Sequence, residues 1–127
     1  MHVTAIILVI LHVLSGVFWA GTTFALTRMS GDQETVLFRP QMGAALIAIL
    51  TGVALWFLFH RGSDGLQEHV LGVGIIFALI AAGIQGMSHA RRRRLAGTSR
   101  SGPVLSQRLA AACLAVTVAC MAASRYI

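Results

Sequence analysis

The sequence predicts an all-α membrane protein, an antiparallel bundle of four transmembrane helices, on three observations. Of the 127 residues, 57% are apolar and only 11% are charged. The mean hydropathy of +0.80 lies above the usual range for a soluble domain. Four long stretches carry no formal charge, each near the roughly 20 residues that a helix needs to cross a bilayer. Because one domain of this length cannot bury so many apolar side chains internally, we expect lipid to cover them.

The predicted spans are residues 3–27, 41–59, 70–88 and 105–124, and the last is uncharged only from residue 109 onward. Strands are excluded because the apolar runs do not alternate and are about twice the length of a barrel strand. The first span lacks a basic leader and a cleavage site, so we expect it to stay in the chain. Pro40 suits the first turn of the second helix, where its missing N–H costs nothing. The short connections make successive helices antiparallel neighbours.

The arginines predict the orientation of the bundle. All ten basic residues are arginine, against four acidic residues, for a formal net charge of +6. Eight of them lie in the connections after the first and third spans, whereas only Arg61 and Arg125 lie on the other side. The positive-inside rule then places both termini in the periplasm, for a multi-pass protein of a bacterial inner membrane. Nucleic-acid binding is not expected, since the arginines are confined to short connections.

Four consecutive arginines are the candidate lipid contacts. We expect them to attract anionic headgroups and to hold the topology, each contributing about 1 kcal/mol near the surface. These residues are Arg91, Arg92, Arg93 and Arg94.

His12 is the candidate site inside the membrane. No Asp, Glu, Lys or Arg lies within residues 3–27, 41–59, 70–88 or 109–124, which argues against a proton-coupled exporter. His12 is the one side chain well inside a span that titrates near neutral pH. It begins a stripe of small and polar residues that we expect to face other helices: Ser15, Gly16, Trp19, Thr22 and Thr23. Three interpretations stay open: a histidine hydrogen-bonded to a Thr, Ser or carbonyl of a neighbouring helix, a metal or haem ligand, and a proton relay.

Candidate partner ligands come from the fourth helix and from the outer boundary. Met121 lies within about 5 Å of His12 in depth, so His/Met or five-coordinate ligation of a haem is easier than bis-His ligation. His60 and His69, near His2, lie at the outer ends of the second and third spans, where imidazoles either bind copper or zinc or simply occupy the interface. On the inner side, Gln85 and His89 share a helix face, which is a weaker indication of a second site.

Two features of the fourth helix predict packing and no chemistry. Cys113 and Cys120 lie two helical turns apart, too far for a disulfide, and are interpreted as small packing residues. A small residue recurs at every fourth position, which predicts close packing within the bundle or against another subunit, in a homo-oligomer or a larger membrane complex. The repeated residues are Ala111, Ala115, Ala119 and Ala123.

The run from Leu11-His12 to Trp19-Ala20-Gly21 resembles the first-helix pattern of the copper-resistance D (CopD-like) membrane proteins. With Arg28 it also resembles the same helix of the membrane protoporphyrinogen oxidase (HemJ-like) family. The stretch Phe38-Arg39-Pro40-Gln41-Met42, leading to Leu50-Thr51-Gly52, is similar to the start of the next helix in such proteins. The resemblance covers about half the chain and implies a small inner-membrane bundle with His12 as a haem or copper ligand. The chain lacks the oxidase family's functional lysine.

These observations lead to two hypotheses of function. The first is a haem b or copper site centred on His12, with a role in electron transfer or metal handling. The alternative is a non-catalytic membrane subunit or scaffold that packs against a partner membrane protein.

Overall fold

A computed structural model describes residues 2–29, 32–60, 62, 65–94 and 103–127, with the side chains of residues 32–35 and 103–104 outside the description. It contains four helices, α1 (His2–Leu26), α2 (Asp32–Phe59), α3 (Leu66–Arg94) and α4 (Pro103–Ser124), and no strand in the described part of the chain. All four helices are long and apolar enough to cross a membrane. The predicted all-α fold of four membrane helices is therefore confirmed.

The helices form a four-membered ring in chain order. The most extensive packing joins α1 to α2 and α3 to α4, with fewer contacts between α1 and α4 and between α2 and α3. Thr23, late in α1, contacts Gln41, early in α2, and Gly74, early in α3, contacts Thr117, late in α4. Neighbouring helices are thus antiparallel. We call the end holding the α1–α2 and α3–α4 connections the basic end, and the opposite end the terminal end.

Small side chains fill the centre of the bundle. Among the described residues, the central buried cluster consists mainly of alanines, together with Trp19 and Leu114. The alanines are Ala44, Ala45, Ala48, Ala78, Ala81 and Ala110. Large apolar residues such as Leu14, Ile76 and Val118 are exposed on the outside of the ring. This distribution is typical of membrane helices, whose backbones approach each other through small residues while bulky side chains face lipid.

Two helices extend beyond their predicted spans at the basic end. α2 begins at Asp32 instead of residue 41, and α3 continues to Arg94 instead of ending at residue 88. Apolarity marks the part of a helix that crosses lipid, whereas the helix itself continues through charged residues into the interface. The placement of Pro40 in a first turn is therefore wrong, since Pro40 lies inside α2. There it removes one hydrogen bond of the helix, a loss that membrane helices tolerate.

The alanine repeat of α4 is only partly used within the bundle. Ala111 is buried, whereas Ala115, Ala119 and Ala123 are exposed. Packing within one chain therefore does not account for the repeat. Cys113 and Cys120 are half-buried free thiols, as predicted.

Candidate functional site

His12 is held by hydrogen bonds to the neighbouring helix. Its Nδ1 lies 2.8 Å from the carbonyl oxygen of Ala48 and 3.2 Å from Oγ1 of Thr51. A carbonyl only accepts, so Nδ1 carries the proton and donates it to Ala48. The Thr51 hydroxyl donates to its own helix, to the carbonyl of Ile47 at 2.6 Å, and so accepts the longer contact from the ring. Of the three interpretations of His12, the structure shows the hydrogen bond to a Thr and a carbonyl of a neighbouring helix, and the metal-ligand and proton-relay interpretations stay predictions.

The tautomer leaves Nε2 of His12 with its lone pair free. Within the described part of the chain, no hydrogen bond reaches this nitrogen. An unprotonated Nε2 is the form of imidazole that accepts a proton or binds a metal.

Gly52 makes room for the imidazole ring. A Cβ atom at this position would lie 2.9 Å from Cε1 and 3.4 Å from Nδ1 of His12. Any larger residue would therefore force the ring or the backbone of α2 to shift. The absence of a side chain at Gly52 is what allows His12 to lie against the backbone of α2.

A cavity of about 100 Å³ lies beside His12 between the four helices. Its walls are almost wholly apolar and include Trp19 of α1, Ala48 of α2, Ala78 of α3 and Met121 of α4. His12 and Met121, the two residues proposed from the sequence as cofactor ligands, thus line the same cavity. Thr117 also lines it, but its hydroxyl bonds the carbonyls of Gly74 and Cys113.

The other histidines proposed as metal ligands lie apart from this cavity. His60 and His69 do not line it. Nδ1 of His69 lies 3.0 Å from the carbonyl oxygen of Gly65, and the ring is exposed. Nδ1 of His60 is buried and has no hydrogen-bond partner among the residues that the structure describes. His2, Met1's neighbour at the start of α1, is exposed. Among the described residues, no three His, Cys, Asp or Glu side chains form a metal-binding group. Copper binding by His60 and His69 stays a prediction.

A buried polar cluster lies between the cavity and the basic end. Indole Nε1 of Trp19 donates to Oε1 of Gln85 at 2.8 Å. Nε2 of Gln85 then donates to Oγ1 of Thr23 at 2.8 Å and to Oε1 of Gln107 at 3.3 Å. Nε2 of Gln41 donates to the same Thr23 hydroxyl at 2.9 Å. These five side chains, which we call the glutamine cluster, connect all four helices.

Thr23 is the centre of the glutamine cluster. Its hydroxyl accepts from two glutamine amides and donates to the carbonyl of Trp19 at 2.8 Å, which uses its full hydrogen-bonding capacity. Gln41 is fully buried, and its Oε1 has no hydrogen-bond partner in the described part of the chain. Trp19, Thr23 and Gln85 were predicted from the sequence as buried or site residues, whereas Gln41 and Gln107 were not. Both glutamines lie at the edges of apolar runs, and a side-chain amide in that position could have indicated a buried polar contact.

Gln85 and His89, whose shared helix face weakly indicated a second inner site, contact different neighbours. Gln85 is directed into the glutamine cluster, whereas the ring of His89 stacks on Phe38 of α2, with centroids 3.5 Å apart and planes at 7°. Residues four apart on one helix share a face only approximately. Here Gln85 bonds side chains of α1 and α4, whereas His89 packs against α2. The four consecutive arginines form the last turn of α3, and all but Arg92 are exposed.

No protein-family model matches the chain, and no curated protein or solved structure matches it either. The class of this protein is therefore described from its fold and site alone. It has four helices of membrane-spanning length around an apolar cavity that is lined by His12.

Proposed function

We propose that the chain is a multi-pass protein of a bacterial inner membrane that holds a metal centre on His12 and serves in electron transfer or metal handling. The observation that supports this most strongly is the hydrogen bond from Nδ1 to the Ala48 carbonyl. Metal-binding histidines almost always donate their second N–H to a carbonyl or carboxylate, which fixes the tautomer and raises the basicity of the ligating nitrogen.

The donors fit a copper ion. Imidazole nitrogen and thioether sulfur are ligands that Cu(I) accepts, and both His12 and Met121 line the cavity. A volume of about 100 Å³ is large enough for a single ion. The same donors occur as axial ligands of haem b, but pockets for larger organic ligands occupy roughly 300–1,000 Å³. A haem would therefore require the loosely packed α2–α3 or α1–α4 pairs to separate.

The residues of the chain would divide the work in a definite way. His12 would bind through Nε2 and Met121 through its sulfur, while the Ala48 carbonyl would hold the ring in place. The apolar walls exclude water, which favours the lower charge of a reduced metal. When bound, a copper ion or haem supplies one-electron redox chemistry.

The orientation and the lipid contacts form part of the proposal. The basic end would face the cytoplasm, where anionic lipids and the positive-inside rule favour arginine. The His12 cavity would then lie nearer the periplasmic half of the membrane.

Purified protein in detergent provides the test. We expect stoichiometric copper after Cu(I) loading and dialysis, or a Soret band that changes with dithionite if the group is haem. The variant His12→Gln keeps a side chain that can donate to Ala48 but removes the ligand, and it should lose the metal. The comparison variant is His69→Gln, which alters an exposed outer histidine that does not line the cavity. It should keep the metal, and loss of the metal in this variant with retention in His12→Gln would assign the ion to the outer histidines instead. A colourless, metal-free wild-type protein would contradict the proposal.

The second candidate function is a scaffold subunit. It is favoured by the exposure of Ala115, Ala119 and Ala123 on the outer face of α4, since a repeat of small residues permits close approach of another membrane helix. Cross-linking in native membranes tests this function. A stoichiometric partner or second copy that is lost in Ala119→Leu would support it, and an unchanged monomer would contradict it.

A further inference from the structure

Two arginines from different helices line one cleft at the basic end. Arg39 of α2 and Arg93 of α3 form a cleft of about 520 Å³ together with Phe38 and His89. Both arginines are exposed, and neither forms an ion pair or hydrogen bond with the part of the chain that the structure describes. Two like charges on one cleft repel each other, so an anion placed between them lowers the energy of the arrangement.

The ring stack organises this cleft. Phe38 and His89 stack at 3.5 Å between centroids, across the loosely packed α2–α3 pair. The stack joins the helix positions directly beside both arginines, because Phe38 precedes Arg39 and His89 lies one turn before Arg93. The stack therefore holds together the parts of α2 and α3 that carry the two arginines.

The depth of the cleft matches the headgroup region. With 1.5 Å per residue, Arg39 lies roughly 16 Å and Arg93 roughly 21 Å from the middle of their apolar runs. The hydrocarbon core extends only about 15 Å from its midplane, so both guanidinium groups lie at the level of lipid phosphates.

We infer that this cleft is a specific binding site for a phosphate group carried by an anionic ligand, such as a lipid headgroup or free phosphate. The planar guanidinium binds phosphate oxygens through two parallel N–H bonds, and two such groups from separate helices can hold one phosphate. The cleft volume lies within the range of small-ligand pockets. The site is independent of the metal centre, and it distinguishes Arg93 from the other arginines of its run.

Native mass spectrometry of the full-length protein in detergent, titrated with phosphatidylglycerol, tests the site. Arg39→Gln and Arg93→Gln should each weaken binding about thirtyfold, the loss of a charge-assisted hydrogen-bond pair. The matched control is Arg91→Gln, which removes an exposed arginine of the same turn that does not line the cleft. It should lose less than about fivefold, the diffuse attraction alone.

Competition with inorganic phosphate distinguishes the two sources. Displacement of the lipid by phosphate supports a site for the phosphate group alone, whereas resistance to displacement supports a site for a lipid headgroup. Equal losses in all three variants would show a diffuse basic surface and overturn the inference, as would the absence of phosphatidylglycerol and phosphate binding. Circular dichroism of each variant checks that the helices are intact.

Discussion

Nε1 of Trp19 and Oε1 of Gln85 form a 2.8 Å hydrogen bond that joins α1 to α3 across the diagonal of the bundle. The backbones of these two helices make no close contact, so the bond depends on the long side chains. An indole N–H only donates, which fixes the amide of Gln85 with its nitrogen toward Thr23 and Gln107. One tryptophan thus orients the glutamine cluster below the His12 cavity, whose wall it also forms.

Trp19→Phe should destabilise the bundle. The change leaves Oε1 of Gln85 without its donor in an apolar interior, and hydrogen bonds between membrane helices are worth about 1 kcal/mol. Unfolding in detergent titrated with dodecyl sulfate measures the loss. Trp56→Phe is the matched control, since the Trp56 indole has no hydrogen-bond partner among the described residues. Equal losses in the two variants would contradict the assigned role.

Thr23→Val should cost more, about 2 kcal/mol, because it removes an acceptor that two buried glutamine amides share. The shape of the side chain is conserved, so packing changes little. Thr22→Val is the control, since the Thr22 hydroxyl bonds only the carbonyls of its own helix. The same unfolding assay should show the control within about 0.5 kcal/mol of wild type. If Thr22→Val lowers the free energy of unfolding as much as Thr23→Val does, Thr23 is not the centre of the glutamine cluster.

Gly52→Ala should displace His12. The added Cβ would lie 2.9 Å from Cε1, so the ring would have to shift relative to the Ala48 carbonyl that it bonds. We expect a loss of about 1–3 kcal/mol, typical of overpacking, together with weaker copper binding. Gly43→Ala on the same helix has nothing within 4 Å of the new Cβ and should be neutral or stabilising, by up to about 1 kcal/mol. If Gly52→Ala binds copper as tightly as the wild type, the copper does not depend on the position of the His12 ring.

Reporter fusions should reveal the orientation of the chain. Alkaline phosphatase folds only where disulfides form, so a fusion after Ile127 should be active and a fusion after Arg94 inactive. The expected reason is the excess of arginine at the basic end. The reverse activities would place the termini in the cytoplasm and contradict the proposed orientation.

The sequence predicted the four helices but not their full length. Uncharged runs near the length of a bilayer crossing leave few alternatives, whereas the helical turns outside lipid carry no such signal. Pro40 illustrates the difference: local preference places it in a first turn, but the helix begins at Asp32.

The site was predictable in kind and not in detail. A histidine in lipid needs a partner, so a hydrogen bond from His12 to a carbonyl or Thr could be expected, but its place opposite Ala48 depends on the register of two helices. From the sequence, Gln41 and Gln107 could be identified only as residues at the ends of apolar runs, with no indication that they are buried. Their burial follows from the bundle, which brings the ends of four helices around Thr23.

The most direct test of the metal proposal is X-ray absorption at the copper edge of the Cu(I)-loaded protein. We expect scattering from one imidazole and one sulfur, with the imidazole contribution lost in His12→Gln and the sulfur contribution lost in Met121→Leu. A spectrum that is identical in wild type and His12→Gln, or a shell made of oxygen alone, would contradict the assignment of His12 as a ligand.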